Sequence, residues 1–440
     1  MGGTGTVSVA GWSNWGRNVS ATPAQVYAPR TTDEVAHLIG RAAEAGERIR
    51  PVGSGHSFTP IAAPSGAHLR LDNLTGILAV DRAAGTVRVA GGTPLHELSP
   101  ALEQVGLAMI NLGDIDQQTI TGAVSTGTHG TGATLTGLGG LVRGLTIVTG
   151  DGTVRRVTRE SDPDLLRLLA VSLGAFGVVT EIELDVMPAY RLRAIEQPEP
   201  LAAVLEDAEA IAARHRHFEF YWFPHTDRVL TKRNDIAADG EGAPLSRWRE
   251  RLDDHLLSNV AFEQLNRLVT ARSSLAPRIN QVSARALSRR EFTDASYRVF
   301  CTRRDVRFVE SEYAVPRAAL APVLRELSAW VDRSGEHIAF PVEVRFAAAD
   351  DVAVSTAYRR DSAYIAIHQY WRRDASRYFA AFEAIVAEHD GRPHWGKMHT
   401  LDVERFGELY PRFGEFREQR DVFDPARVLT NDYLDRVLGE

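Results

Sequence analysis

Three short segments rich in glycine and small polar residues could approach a phosphate-containing ligand closely. They are residues 53–57, 122–132 and 174–177. Glycine turns bind phosphates because their N–H groups converge and no Cβ blocks the approach. Phe58 stands where a Rossmann fingerprint needs its third glycine, and the P-loop pattern is absent, so a nicotinamide-binding Rossmann domain and an NTPase are disfavoured. Three such segments favour a long ligand, such as a dinucleotide in an extended trough, over a set of tight turns.

A second group of candidate residues alternates along predicted strands. Glu343 and Arg345 are two positions apart in residues 341–346, so both side chains point to one face of the strand. This pattern predicts either a polar surface that faces a ligand or a cross-strand ion pair. His368 and Tyr370 repeat the alternation in the next predicted strand, although a single histidine there could equally be a core residue with a satisfied hydrogen bond.

Lysine is almost absent from this chain. Of the 50 basic residues, only Lys232 and Lys397 are lysines. The chain therefore uses arginine for general surface charge, whereas a lysine can shift its pKa and act as a compact donor. The two lysines are candidates for a chemical role, with biased codon usage as the alternative explanation.

The first group of elements, up to residue 188, predicts one α+β unit. Residues 31–46 predict a helix, with Thr31 and Glu34 as a capping box and Gly46 at its end. Residues 111–132 fit neither a helix nor a strand. Further helices are predicted at 94–105, with Thr93 as the cap, and at the start of 163–186. Strands are predicted at 48–52, 69–71, 77–80, 86–90, 145–149 and 154–157, and at the end of 163–186.

After residue 188 the pattern indicates an antiparallel sheet covered by helices. Residues 234–292 are polar, arginine-rich and weakly patterned, and could form a lid or a solvated surface. We expect a first domain at 18–188, a second at 189–399, and a tail at 400–440 with two short helices that packs back on the first domain. Helices are predicted at 201–214, 317–333 and 374–389, and strands at 218–223, 296–301, 339–346 and 363–371.

Composition excludes several classes of protein. The 440 residues are 44% hydrophobic and 24% charged, which is typical of a soluble globular protein of two or three domains. A net charge of −7 without a basic run disfavours a nucleic-acid surface. The single cysteine, Cys301, allows no internal disulfide, and no Cys/His cluster has zinc spacing, so we expect no metal and a reducing, cytoplasmic location. No stretch predicts a transmembrane helix or a secretion signal, although peripheral membrane contact stays open.

Several motifs together carry a resemblance to a known family. Residues 51–58 (PVGSGHSF) resemble the covalent-flavin motif of the vanillyl-alcohol oxidase superfamily, and residues 111–132 and 173–179 (LGAFGVV) resemble its second and third flavin segments. Residues 392–397 (RPHWGK) are the most family-specific element, and they are followed by Asp424-Pro425 and residues 431–434 (NDYL). Over nearly the whole chain, in order and spacing, the sequence is similar to the sugar-1,4-lactone oxidases and their relatives the alditol oxidases.

The resemblance implies an α+β, two-domain FAD-binding fold of the vanillyl-alcohol oxidase type, with an antiparallel-sheet substrate domain. It implies a covalent bond between His56 and the flavin 8α carbon, although His56 could merely cap the turn. Gly113 and Asp114 would lie beside the reactive flavin edge, where a glycine leaves room for dioxygen. The implied cofactor-binding residues are Val52, Gly53, Ser54, Gly55, His56, Ser57, Gly113, Asp114, Thr119, Gly122, Ser125, Thr126, Gly127, Thr128, His129, Gly174, Val178, Val179, His394 and Asn431.

The resemblance also implies a reaction, the oxidation of a sugar-1,4-lactone with hydride transfer to flavin. Glu343 would take the hydroxyl proton, Arg345 would hold the substrate oxygen, and Lys397 would place an ammonium near the flavin N1–C2=O edge. The implied substrate-binding residues are Asp114, Glu343, Arg345, His368, Tyr370, Lys397 and His399.

Several alternatives to this reaction remain. The acceptor would be O2, which gives peroxide, or another acceptor such as a cytochrome, and a dehydrogenase insensitive to oxygen is one alternative. A polyol oxidase is another, although Asp114 departs from the serine expected there. A non-catalytic carbohydrate-binding protein is the third, and the intact His56 and Lys397 argue against it.

Overall fold

A computed structural model describes residues 11–238, 240–246, 259–302 and 304–440 of the chain. Helices and mostly antiparallel sheets alternate along it, as the α+β prediction requires. Part of the weakly patterned stretch 234–292, namely residues 239 and 247–258, lies outside the described residues.

The first half of the chain contains a small parallel sheet beside a larger antiparallel one. The parallel sheet has the strand order Val26–Tyr27, Ala67–Arg70, Ile49–Val52. The antiparallel sheet has the order Val154–Thr158, Val142–Thr149, Gly177–Pro188, Thr86–Ala90, Ile77–Asp81, and Leu107–Met109 also pairs with Gly177–Pro188. The helices here are Thr32–Ala45, Leu95–Gln104, Ile120–Ser125 and Pro163–Leu169, with 3-10 turns at Pro60–Ala62 and Leu138–Leu141, and a hairpin of Trp12–Ser13 with Ser20–Ala21 precedes them.

The first helix shows why the sequence folds as it does. The Thr31 hydroxyl accepts a hydrogen bond from the backbone N–H of Glu34 at 3.1 Å, and Gly46 ends the helix in the left-handed conformation at φ 66°. Its apolar face, which includes Val35 and Ile39, packs against both sheets and against Val428 of the tail. The predicted helix is confirmed, although the Glu34 carboxylate accepts from the N–H of Arg30 instead of closing a capping box.

The second half of the chain is built on one antiparallel sheet of eight strands. Their order is Arg290–Ala295, Arg191–Pro200, Arg228–Ile236, His217–Trp222, Val342–Ala347, Ser362–Tyr370, Phe308–Pro316, Arg392–Pro393. The helices of this half are Leu201–Arg214, Phe262–Ala271, Ala276–Ala286, Ser296–Phe300, Leu320–Ser334 and Ser376–Ala387, with 3-10 turns at Ser273–Leu275 and Arg317–Ala319.

The two faces of this sheet differ in chemistry. Val342, Val344 and Phe346 of one strand lie in a hydrophobic cluster with residues of Leu320–Ser334 and Ser376–Ala387. Glu343 and Arg345 alternate with them and line a cavity on the opposite face. The predicted alternation is therefore confirmed, and it explains how two charges can stand on a buried strand.

The tail forms three helices, Val403–Leu409, Phe413–Phe423 and Asp432–Leu438, where two were expected. Phe416 meets Phe176 edge-on at a ring distance of 4.5 Å, within the core of the first half. The tail thus packs on the first half of the chain. The limits 18–188, 189–399 and 400–440 stay a prediction.

Several local predictions were wrong. Residues 296–301 form a helix, Ser296–Phe300, because Val299 packs on Leu192, and a five-residue run is too short for its periodicity to decide. Residues 111–132 do contain a helix, Ile120–Ser125, made of small residues. Pro94 and not Thr93 caps Leu95–Gln104, since the Thr93 hydroxyl donates to the Ala90 carbonyl at 2.6 Å. The longer strands missed among the described residues were Arg191–Pro200, Arg228–Ile236, Arg290–Ala295 and Phe308–Pro316. The short strands missed were Trp12–Ser13, Ser20–Ala21, Val26–Tyr27, Leu107–Met109 and Arg392–Pro393.

No helix within the described ranges is both long enough and apolar enough to cross a membrane.

Asn431 ties the last helix to the first half. Its side-chain oxygen accepts from the N–H of Leu434 at 2.9 Å, and its amide donates to the carbonyls of Pro60, Ile61 and Ala63 at 3.0, 3.1 and 2.8 Å. These contacts give Asn431 a structural role as a helix cap and a bridge.

We predict that Asn431→Ala lowers the free energy of unfolding by about 1–3 kcal/mol, because a helix cap and buried carbonyl partners are lost together. Asn73→Ala is the control, since Asn73 is exposed and makes one bond, to the Ala28 carbonyl. Denaturant titration of both variants is the measurement. Lost flavin with unchanged unfolding would instead support the predicted cofactor-binding role.

Candidate active site

Two connected cavities adjoin the glycine turn, a narrow cleft within the first half of the chain and a wider cavity lined by both halves. A narrow cleft of about 110 Å³ is lined by the glycine turn 53–57 and by residues of 118–126 and 173–179. A wider cavity of about 580 Å³ lies under the sheet of the second half. Both are lined by His56, Ser57, Gln118 and Thr126, so they form one continuous trough.

The glycine turn follows the strand Ile49–Val52 and requires its glycines. A Cβ on Gly53 would stand 2.5 Å from the Thr119 hydroxyl oxygen, and Gly55 adopts a left-handed φ of 69°. Thr119 also caps Ile120–Ser125 by accepting from the N–H of Gly122 at 3.3 Å. Close approach of the two segments therefore leaves a cleft walled by backbone, as the sequence predicted.

Arg50 holds the walls of the narrow cleft together. It is buried, and its guanidinium donates to the carbonyls of Ile61, Leu173, Gly174 and Leu429 at 2.5 to 2.8 Å. Burial is the main cause that lowers its pKa to about 9. The third glycine segment is thus fixed against the first by one buried cation.

His56 lies where the narrow cleft meets the wide cavity. Its ring stacks on Trp15 at 5.6 Å between centroids, with 21° between planes. The N–H of Trp15 donates to the Gly55 carbonyl at 2.8 Å, so the N-terminal hairpin is hydrogen-bonded to the glycine turn. Burial, and then the Lys397 charge, lower the pKa of His56 to about 4, so its imidazole is neutral at pH 7.

Arg345 is the centre of the charged wall. Its guanidinium forms a close ion pair with Glu343, lies 3.3 Å from an Asp114 oxygen, and donates from Nε to Glu219 at 3.1 Å. The Tyr221 hydroxyl donates to Glu343 at 2.7 Å.

Burial raises the pKa of both carboxyls, but the charges around them leave the two in different protonation states. It is the main cause that raises the pKa of Glu343 to about 7, against the lowering effect of Arg345. Burial would also raise the pKa of Asp114, but the charges of Arg304, Arg345 and Lys397 hold it well below its usual range. Asp114 is therefore ionised, and Glu343 can exchange a proton near neutral pH.

Lys397 lines the same wide cavity. Its ammonium pairs closely with Glu310, and burial lowers its pKa less than Glu310 and Glu312 raise it, so it stays charged. His368 lies 3.6 Å from Glu310, and His129 lies 3.2 Å from Glu312. The Lys397 ammonium is thus paired with a carboxylate, and a histidine ring lies beside each of Glu310 and Glu312.

Most of the predicted site residues meet in this trough. The wide cavity is lined by His56, Ser57, Gly113, Asp114, Thr126, Thr128, His129, Glu343, Arg345, His368, His394 and Lys397. The narrow cleft is lined by Val52, Gly53, Ser54, Gly55, His56, Ser57, Thr119, Gly122, Ser125, Thr126, Gly174, Val178 and Val179.

Four predicted residues do not line either cavity. The Tyr370 hydroxyl donates to Glu263 at 2.7 Å, and His399 shares a 2.8 Å hydrogen bond with the Tyr433 hydroxyl. Gly127 adjoins Trp395, and Asn431 caps the last helix. The side chains of Tyr370, His399 and Asn431 bond to the surrounding protein, and Gly127 lies outside both cavities, so the predicted direct contacts with ligands gain no support from their positions.

The sequence did not single out several residues that line the trough. Glu310 and Glu312 alternate on Phe308–Pro316, and this signal was available but the strand was not predicted. Arg304, Trp15 and Gln118 carried no local signal, because only the folded chain brings them to the site.

The residues of the trough fit a bound dinucleotide. The buried side-chain oxygen Oε1 of Gln118 has no hydrogen-bond partner within the described part of the chain, at the junction of the two cavities. The cleft walled by glycine backbone suits a pyrophosphate, and the wide cavity has room for a large ring. No group of three possible metal ligands occurs among the described residues.

Comparison with known proteins agrees with this geometry. Residues 23–158 match the family model described as FAD binding domain, so the cofactor is FAD and the fold and trough define an FAD-dependent oxidoreductase. Residues 182–437 match the family model of D-arabinono-1,4-lactone oxidase. The chain belongs to the D-arabinono-1,4-lactone oxidase family, as its motifs predicted.

Two relatives match almost end to end. The L-gulono-1,4-lactone dehydrogenase of Mycobacterium tuberculosis is 40% identical over 97% of this chain and 99% of its own. The L-gulonolactone oxidase of Mus musculus is 31% identical over 97% of this chain and 98% of its own. The crystal structure of cholesterol oxidase from B. sterolicum shares the fold with a TM-score of 0.83 at 19% identity, covering 99% of this chain and 97% of that one. The predicted two-part fold of the vanillyl-alcohol oxidase type is confirmed.

Proposed function

We propose that this enzyme oxidises a sugar-1,4-lactone, such as L-gulono-1,4-lactone, at a CH–OH group to an ascorbate-type product. The observation that carries the proposal is the buried Glu343–Arg345 pair, which lines, together with Lys397, a cavity continuous with the narrow glycine-walled cleft. FAD, when bound, accepts the two electrons of the oxidation. The names of the relatives, a lactone dehydrogenase and a lactone oxidase, support the same substrate class.

Glu343 acts as the proton acceptor in this proposal. Its pKa of about 7 gives it both an ionised fraction and a useful basicity at neutral pH. The Tyr221 hydroxyl, 2.7 Å away, stabilises the ionised form. Arg345 donates hydrogen bonds to the substrate oxygen and stabilises its negative charge as the proton leaves, and Lys397 contributes a fixed positive charge.

His56 is the proposed point of covalent attachment. Its neutral imidazole has a free electron pair, and its stacking on Trp15 fixes the ring at the entrance to the wide cavity. The bond would join an imidazole nitrogen to the 8α carbon of the flavin, with loss of the imidazole N–H proton and of one 8α proton, and the two electrons released would pass through the flavin to dioxygen. It would hold the cofactor in the trough and withdraw electron density from its ring, which eases reduction.

We propose dioxygen as one electron acceptor, with hydrogen peroxide as its product. Gly113 lines the wide cavity, and a Cβ there would stand 3.4 Å from the His129 carbonyl oxygen, so glycine keeps this space open. A protein acceptor such as a cytochrome is the alternative. The single cysteine, Cys301, favours a reducing compartment, and we propose a cytoplasmic location.

Steady-state assays with gulonolactone and xylitol, each followed by peroxide release and by dye reduction, test the proposed function. We expect a higher kcat/KM for the lactone, with peroxide formed in proportion to substrate. Preference for xylitol would support a polyol oxidase. Dye reduction without peroxide would support a dehydrogenase, and colourless, inactive protein would support a binding protein.

Replacement of His56 tests the covalent bond. Acid-precipitated wild-type protein should stay yellow and weigh about 783 Da more than the bare chain, the increment of a bound FAD. His56→Ala should release its colour to the supernatant, whereas His37→Ala, on an exposed helix position, should not. Colour released equally from the wild-type protein would rule out the bond.

The raised pKa of Glu343 predicts a pH profile. A protonated carboxyl cannot accept a proton, so kcat/KM for the lactone should fall about tenfold per pH unit below about pH 7. Glu343→Gln should lower kcat/KM by roughly 10²–10⁴-fold and abolish this acid limb. The control Glu44→Gln, on the exposed face of the first helix, should change neither kcat/KM nor its acid limb. A Glu343→Gln enzyme with full activity would refute the proposed role.

A further inference from the structure

A row of alternating charges crosses the large sheet and ends at the active site. Along the strand register, Arg290 lies opposite Glu196, Glu196 opposite Lys232, and Lys232 opposite Glu219. Residues directly opposite in antiparallel strands share a face, so the four side chains form one line. Glu219 then accepts the hydrogen bond from Nε of Arg345. Lys232, one of the two lysines of the chain, is the middle of this charge row.

The charge row is closely packed and poorly solvated. Arg290 lies 2.9 Å from a Glu196 oxygen, Lys232 lies 3.3 Å from Oε1 of Glu219, and Arg345 lies 3.1 Å from Oε2 of Glu219. The side chains of Lys232 and Glu219 are 20% and 11% exposed. Charges held this far from water interact strongly, so the loss of one changes the electrostatic potential at the others.

Glu219 and Glu343 compete for the same two partners. Arg345 binds both carboxylates. The Tyr221 hydroxyl lies 3.2 Å from Glu219 and 2.7 Å from Glu343, and it has one hydrogen to donate. Lys232 contacts Glu219 and also stands over the Tyr221 ring at 4.9 Å. Lys232 neutralises part of the charge on Glu219. The extent of this neutralisation therefore determines how strongly Arg345 and the Tyr221 hydroxyl interact with Glu343.

We propose that Lys232 is a positioning residue for the reaction, because by neutralising Glu219 it commits Arg345 and Tyr221 to Glu343. Lys232 does not line the cavity, and it acts on Glu343 through these neighbours and through the field of its own charge. This inference rests on the proposed function, in which Glu343 accepts the substrate proton.

The charges around Glu343 determine the sign of the effect. The groups that face it from the surrounding elements are Asp114, Arg304, Glu219 and Tyr221, with Arg345 on its own strand. Removing the Lys232 cation leaves Glu219 less compensated, and this carboxylate then draws Arg345 and the hydroxyl hydrogen of Tyr221 away. Glu343 should bind its proton more tightly, and the acid limb of kcat/KM should move to higher pH.

The test compares pH profiles of kcat/KM for the lactone in Lys232→Gln and the wild-type enzyme. We expect the acid limb to move up by about one pH unit. This shift should lower kcat/KM about tenfold at pH 6.5 and by no more than about twofold at pH 9. Lys232→Arg should leave the acid limb at the wild-type pH because it keeps the positive charge. Arg193→Gln, which removes an exposed cation from the neighbouring strand Arg191–Pro200, should not move it.

A second pair of variants tests the same coupling from the other side. Glu219→Gln keeps a hydrogen-bond acceptor for Arg345 but removes the competing charge, so its acid limb should move to lower pH. The double variant Lys232→Gln/Glu219→Gln should return towards the wild-type limb, since the two changes cancel in charge. If Lys232→Gln does not fold, a Glu219→Gln limb that fails to move down overturns the proposal.

The outcomes separate this inference from the proposed function. The role of Lys232 alone is overturned if the separate Glu343→Gln variant is inactive but the acid limb of Lys232→Gln lies within about 0.2 pH units of the wild-type limb. A lower melting temperature or flavin content with an unmoved limb would show a merely structural residue and equally overturn it. Full activity of Glu343→Gln would overturn the proposed function itself.

Discussion

The site depends on one constraint, which is that several carboxylates and cations must share a cavity with little water. An isolated buried charge costs several kcal/mol, so each must be paired. Arg345 meets this requirement for three carboxylates at once, because Glu343, Asp114 and Glu219 all contact it. Removing this guanidinium would leave buried negative charges facing each other. The arrangement also leaves Glu343 with a pKa near neutrality while Asp114 stays ionised.

This charge balance requires both halves of the chain to be held in register. Asp114 comes from the first half and Glu343 from the sheet of the second. The segment that carries Lys397 joins them, since the Gly396 carbonyl accepts from the N–H of Phe58 at 2.6 Å and the N–H of Met398 donates to the Glu310 carbonyl at 2.8 Å. The family-specific motif at 392–397 therefore lies where the two halves meet.

The sequence predicted the cofactor cleft better than the charged wall. A glycine turn such as 53–57 is local, and its conformation and chemistry follow from a few adjacent residues. Glu219 and Lys232 stand on strands far from Arg345 in the chain, and only the sheet register brings them together. The strand carrying Lys232 was not predicted because its arginines and polar residues hide the alternation. Tyr370 and His399 were predicted from the same kind of signal, but they line neither cavity and bond to Glu263 and Tyr433.

Lys397 connects the two chemical demands made on the trough. A nucleophilic imidazole must be neutral, and the Lys397 charge adds to burial in lowering the pKa of His56. The same ammonium must stay charged for the reaction, and its ion pair with Glu310 ensures this. An arginine would carry the charge in a larger planar group, whereas an ammonium concentrates it at one atom. One compact cation can thus favour both the covalent attachment and the proton transfer that we propose.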